Sequence, residues 1–119
     1  MDQTPLGDWG ERVAARHLEN DGWTILHRRF RAGRQEIDLI AKRGEVVAFV
    51  EVKTRSTRSF GHPFDAIDGR KQADVRKAAE AWIRHNGRDG LTFRFDAMAV
   101  RKGESGAVEV EHLQDAWGY

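Results

Sequence analysis

The twenty residues from Gln35 to Thr54, QEIDLIAKRGEVVAFVEVKT, constrain the fold more than any other stretch of this chain. Two β-like runs, Glu36 to Ala41 and Glu45 to Thr54, flank the turn-like Lys42-Arg43-Gly44 and predict a hairpin. In the second run Val46, Ala48, Val50 and Val52 alternate with Val47 and Phe49, so both faces are apolar. Such a strand belongs at the centre of a sheet covered on both sides. Yet Glu51 and Lys53 stand on one of those covered faces. Unpaired buried charge is too costly to be incidental.

The register decides what joins them, because a one-residue slip would move Asp38 to the opposite face. A two-residue loop at Arg43-Gly44, with Lys42 opposite Glu45, sets Glu36 opposite Glu51 and Asp38 opposite Phe49. Asp38 is then a diagonal neighbour of Glu51 on the same face. Three carboxylates converge, and their repulsion is unfavourable unless a proton, Lys53 or a bound metal neutralises it. Oxygen ligands alone favour a hard ion, Mg²⁺ or Mn²⁺ rather than zinc.

The chain length of 119 residues suits one domain over 1–119, with its core within about residues 7 to 113. Charged residues make up 33% and hydrophobic ones 39%, and no apolar run approaches the roughly 20 residues a membrane span requires. The start, MDQTPLGDWG, lacks a signal pattern and there is no cysteine, which makes the cytoplasm the expected compartment. A net charge of +1 announces no nucleic-acid partner, so the distribution must carry that case. Residues 23 to 34 hold Arg28, Arg29, Arg31 and Arg34 with no acid, whereas the last nineteen hold two bases against Glu104, Glu109, Glu111 and Asp115. A basic region beside the acids suits phosphate recognition; a solvated arginine-rich surface explains it equally well.

Taken in order, Thr4-Pro5 offers one helix start and Asp8 with Glu11 a second, capping-box start, and either opens a helix to about Asn20. Glu11 is thus either a capping acid or a carboxylate facing inward with Leu18. Asp21-Gly22 ends the helix, Trp23 to Phe30 is the first strand, and the hairpin is entered through a loop at Arg31 to Arg34. Residues 54 to 63 form a polar, basic loop carrying Arg55 and Arg58, in which His62 is a proton carrier or a turn residue. Asp65 to Asn86 is the longest helical pattern, with Val75, Ala78, Ala79 and Trp82 on one face, and Asp68 as cap would turn Lys71 and Gln72 to the site. Leu91 to Val100 and Val108 to Leu113 are the last strands, and Asp96 sits beside Arg94 and Arg101 as a salt-bridge candidate.

Asp38 followed thirteen residues later by Glu51-Val52-Lys53 resembles the signature of the PD-(D/E)xK nuclease superfamily. With Gly10-Glu11, Glu36 to Ile40, Phe49 to Arg55, Phe60-Gly61 and Arg94-Phe95-Asp96, the pattern over roughly residues 7 to 100 is similar to the YraN family, UPF0102, itself similar to archaeal Holliday-junction resolvases. One departure is Gln35, where the family usually has glycine. The resemblance implies an α/β restriction-endonuclease-like sandwich, α/β/α with a mixed central sheet. It implies Mg²⁺ or Mn²⁺ held by Asp38, Glu51 and the Val52 carbonyl, with Glu11 and Glu36 as further candidates. Glu11, Asp38, Glu51 and Lys53 would be catalytic, and DNA, branched forms included, the substrate.

Arg28, Arg29, Arg31, Arg34, Arg55, Arg58, Lys71 and Gln72 are the residues expected to touch nucleic acid, and similarity to resolvases makes a homodimer plausible. Two other functions compete. The chain could bind nucleic acid without cutting it, since fold does not prove activity; or it could be a protein-interaction domain whose acids form structural ion pairs.

Overall fold

Thr4 decides where the first helix begins. Its hydroxyl accepts the Gly7 N–H at 3.0 Å and Pro5 takes the first helical position, so α1 runs Pro5–Asn20. The alternative start at Asp8 is not used, and Glu11 is an interior helical residue rather than a capping acid. The computed structural model describes residues 4–56 and 61–118. After α1 come β1 (Thr24–Ala32), β2 (Gln35–Arg43), β3 (Val46–Ser56), a 3-10 turn (Pro63–Ala66), α2 (Gly69–Asn86), β4 (Thr92–Lys102) and β5 (Val108–Trp117). Arg58, Phe60 and Tyr119 lie outside the described residues.

The sheet order is β1-β2-β3-β4-β5, with β3 and β4 parallel and every other pair antiparallel. A parallel pair needs a long crossover, and α2 supplies it. One apolar layer joins Ala14, Ala15 and Leu18 of α1 to Leu39, Ala41, Ala48, Val50, Met98 and Val100. The other joins Val75, Ala78, Ala79 and Trp82 of α2 to Val47, Phe49 and Phe95. A helix thus covers each face of β3, as its two apolar faces require. This is an α/β/α sandwich with a mixed central sheet, of the restriction-endonuclease-like class. No helix among the described residues is long and apolar enough to cross a membrane.

The hairpin register differs from the expected one by two residues. Arg43 pairs with Val46 and Leu39 with Val50, so the loop is Gly44-Glu45 instead of Arg43-Gly44. Gly44 has φ 61, the positive value that a two-residue hairpin turn requires at its first central position and that glycine adopts without strain. Continuing this register sets Asp38 opposite Glu51 directly rather than diagonally, and Glu36 is no longer across from Glu51. A shift of two keeps every side chain on its face.

Two more boundaries move. Arg31 belongs to β1, paired with Glu36, so the β1–β2 loop is only Gly33-Arg34. The helix expected from Asp65 is broken at Ile67-Asp68, where the Asp68 carboxylate accepts the Lys71 N–H at 3.0 Å and starts α2 afresh.

Candidate active site

β2 and β3 are paired only as far as Leu39 opposite Val50. Past that rung β2 continues beside β1 and β3 beside β4, so the two strands part. Carboxylates take over the hydrogen bonding in the gap: Asp38 accepts the Val52 N–H at 2.8 Å, and Glu51 accepts the Asp38 N–H at 3.3 Å. Backbone donors that the separation would orphan are thereby satisfied, and the two acids are fixed side by side. They open into a cleft of about 480 Å³ that Glu11, Glu36, Val52, Lys53, Arg55 and Lys71 also line.

Glu51 is fully buried at 1% exposure, while Asp38 keeps some contact with the cleft although protein surrounds most of it. Burial raises the pKa of Asp38 well above the ordinary carboxylate range, and the charge of Glu51 raises it further. Burial likewise raises Glu51, against the opposing pull of Lys71. The Lys71 ammonium stands 3.2 Å from Glu51. Partial burial alone would lower its pKa, but the Glu51 charge and hydrogen bond outweigh that and hold it above its ordinary value.

The sequence places Lys71 among the residues expected to touch nucleic acid and leaves neutralisation of the acids to a proton, a cation such as Lys53 or a bound metal. In the structure the contact belongs to Lys71, while Lys53 lines the cleft half-buried and makes no ion pair with a described residue. The capping by Asp68 was the available signal, since it fixes Lys71 in the first turn of α2. Gln72 turns instead to the Ile67 carbonyl at 3.1 Å.

The other predicted residues divide. Glu11 accepts the Arg29 Nε–H at 2.8 Å, and Arg29 also pairs with Asp8. Glu36 and Arg31 approach to 3.5 Å. Two of the four clustered arginines therefore serve acids beside the cleft, and Arg28 and Arg34 are exposed. Arg55 lines the cleft and donates to the Thr54 carbonyl at 2.9 Å.

Glu11 reaches the cleft because Gly10 lets α1 lie directly on β3. A Cβ at Gly10 would fall 1.8 Å from the Thr54 hydroxyl oxygen.

Asp96 and His62 lie elsewhere. Asp96 is fully buried on β4, accepting from Arg94 at 2.9 and 3.1 Å, from the Asp115 N–H at 3.0 Å and sharing a 2.7 Å contact with His112. This is the salt-bridge reading. His62 caps the 3-10 turn by accepting the Phe64 N–H, and contacts Glu111 at 3.1 Å.

Among the described residues no three Asp, Glu, His or Cys side chains are gathered closely enough to hold an ion unaided. Buried Glu51 and half-buried Asp38, with only oxygen donors, nevertheless suit Mg²⁺, which keeps several waters and takes one or two carboxylates plus phosphate oxygens. Fold and site together define an α/β/α protein with a two-carboxylate cleft where its central strands part.

A family model described as the uncharacterised protein family UPF0102 matches residues 10–100. A UPF0102 protein of Beutenbergia cavernae is 42% identical over 109 residues, 92% of each chain. One of Parafrankia is 43% identical over 112 residues, covering 94% of this chain and 95% of that protein. One of Chlorobium phaeobacteroides is 38% identical over 117 residues, 94% and 92%. The chain belongs to the UPF0102 family.

Proposed function

We propose that the chain is a metal-dependent nuclease hydrolysing phosphodiester bonds of DNA. The observation carrying this reading is the pair Asp38 and Glu51, a half-buried and a buried carboxylate held together against their repulsion where a hard cation would relieve it. A Mg²⁺ or Mn²⁺ ion bound there would supply charge neutralisation and an acidified water. Asp38, Glu51 and the Val52 carbonyl would hold it. Lys53, which has no described ion-pair partner, would orient the attacking water and steady negative charge at the phosphorus. Arg55 and Lys71 line the same cleft and would hold the phosphate, while Arg28 and Arg34 on the β1 side would meet the backbone further along.

The test is calorimetric titration of Mn²⁺ into wild type and Asp38→Ala, followed by cleavage of linear, circular and branched DNA by wild type and Lys53→Ala. Saturable binding lost in Asp38→Ala, with cleavage lost in Lys53→Ala while DNA is still bound, is expected. DNA left intact with either metal across pH and salt sinks the reading.

One observation favours a second reading, nucleic-acid binding without cleavage: the Lys71 ammonium already stands where a cation is wanted. Salt-sensitive DNA binding indifferent to EDTA and to Asp38→Ala would select it.

A further inference from the structure

A second groove, of about 490 Å³, runs along the opposite flank of α1 from the cleft, between that helix and β5. Trp9, Val13 and Val110 form its floor, half-buried against the core, and Val108 its wall at 45% exposure. Arg12, Arg16 and His17 form its rim. The Lys102 ammonium lies over the Trp9 ring, 5.5 Å from its centroid.

Among the described residues no acid lines it, the exposed Glu19 of α1 and Glu109 of β5 included. Asp8 and Glu11 of α1 pair with Arg29 on the other flank, and Glu111 of β5 reaches His62. Neither Arg12 nor Arg16 has an ion-pair partner among the described residues. Arg12 stands four residues after Asp8 on α1, where the two could pair, but the Asp8 carboxylate is held by Arg29.

We propose that this groove docks an extended acidic segment of a partner protein through an apolar anchor side chain. The apolar floor would take the anchor, and the arginines its flanking carboxylates. Residues four apart on a helix are about 6 Å apart, close to the roughly 7 Å between alternate side chains of an extended peptide. Aspartates two apart in the segment can therefore meet Arg12 and Arg16 together, as charge-assisted pairs.

Nucleic acid suits the groove less well. Strand binding uses open aromatic platforms, whereas the Val13, Val108 and Val110 side chains here are aliphatic and the one indole, Trp9, is half-buried with Lys102 over its ring. A second copy suits it no better, because a twofold contact would set the same arginines against each other. The proposal is independent of the nuclease reading, since no groove residue lines the cleft.

The experiment pans a phage-displayed library of random dodecapeptides against the full-length chain, with Arg12→Glu/Arg16→Glu and Val108→Glu as parallel baits. The best peptide is then measured by fluorescence anisotropy alongside a labelled dodecathymidylate. All three substituted positions are solvent-exposed or at the rim, and circular dichroism checks that the variants fold. Enriched peptides should carry acids around a leucine, isoleucine or aromatic residue and should lose affinity at least about tenfold on both variants. No enrichment, or enrichment of sequences whose binding both variants leave unchanged, overturns the proposal. Binding of the oligonucleotide that both variants abolish while peptides fail to compete overturns it in favour of nucleic acid, and a dimer in sedimentation that Val108→Glu dissociates overturns it in favour of self-association.

Discussion

Asp38 and Glu51 oppose each other across the point where β2 leaves β3, each accepting a hydrogen bond from the other's strand. Of the two carboxylates only Glu51 is in contact with a cation, the Lys71 ammonium. The hydrogen bonds fix position, but they do not cancel the charge. Holding both acids there costs stability, through their burial and their mutual repulsion.

Replacing one charge should therefore stabilise the metal-free protein. A carboxyl whose folded-state pKa is raised holds its proton more tightly folded than unfolded, so its contribution is fully present below the ordinary value of about 4 and is lost as pH rises through the raised value. Asp38→Asn retains an oxygen for the Val52 N–H and cannot ionise. In EDTA at pH 7.5 it should be more stable than wild type by about 1 kcal/mol in urea denaturation, and the gap should close below pH 4. A gap unchanged by pH would show that burial and the Glu51 charge do not raise the Asp38 carboxyl as argued.

Lys71→Met should act in the opposite sense. It leaves Glu51 buried without its contacting cation, a loss of about 1 to 2 kcal/mol, held below the value for a fully buried pair because Lys71 is 34% exposed and solvent screens it. Adding Glu51→Gln should recover most of the loss, so a double-mutant cycle in urea would give a coupling energy. If the two single-variant changes simply add, the contact carries no weight.

Most of the scaffold was legible because its signals are local. Alternation along Val46 to Val52 gave a strand covered on both faces, and the spacing of Val75, Ala78, Ala79 and Trp82 gave the buried face of α2. The hairpin register was off by two, yet Asp38 still reached Glu51, because a shift by an even number preserves the face. What could not be read depends on contacts between distant elements. The Asp68 cap turns Lys71 toward the site but does not say that its ammonium meets Glu51 on β3, and nothing near Arg29 says that α1 brings Asp8 and Glu11 to it. The apparent basic patch consequently lost Arg29 and Arg31 to acids.

Gly10→Ala decides between two effects of opposite sign. In an isolated helix the change would gain about 1 kcal/mol. Here the new methyl would fall 1.8 Å from the Thr54 hydroxyl oxygen and 2.8 Å from its Cβ, so α1 must move off β3. Overpacking of this kind costs about 1 to 3 kcal/mol, and a net loss is expected, seen as a lowered Tm. A Tm at or above wild type would mean that α1 does not lie this close to Thr54.

Asp96 provides the mirror image of Asp38. Although burial alone would raise its pKa, the hydrogen bonds from His112, Arg94 and the Asp115 N–H outweigh that and hold it below the ordinary value. Its contribution to stability is present above about pH 4 and is lost as pH falls through the depressed value. Asp96→Asn keeps the shape but weakens two charge-assisted contacts at the irregular end of β5, where Asp115 has φ 53. A loss of about 2 to 3 kcal/mol at pH 7 is expected, shrinking as pH drops below 4, so the pH trend has the opposite sign to that of Asp38→Asn. Because Asp96 does not line the cleft, Mn²⁺ titration of the folded variant should match wild type. A variant that is stable at pH 7 but fails to bind the metal that wild type binds would move Asp96 from β5 anchoring to the site itself.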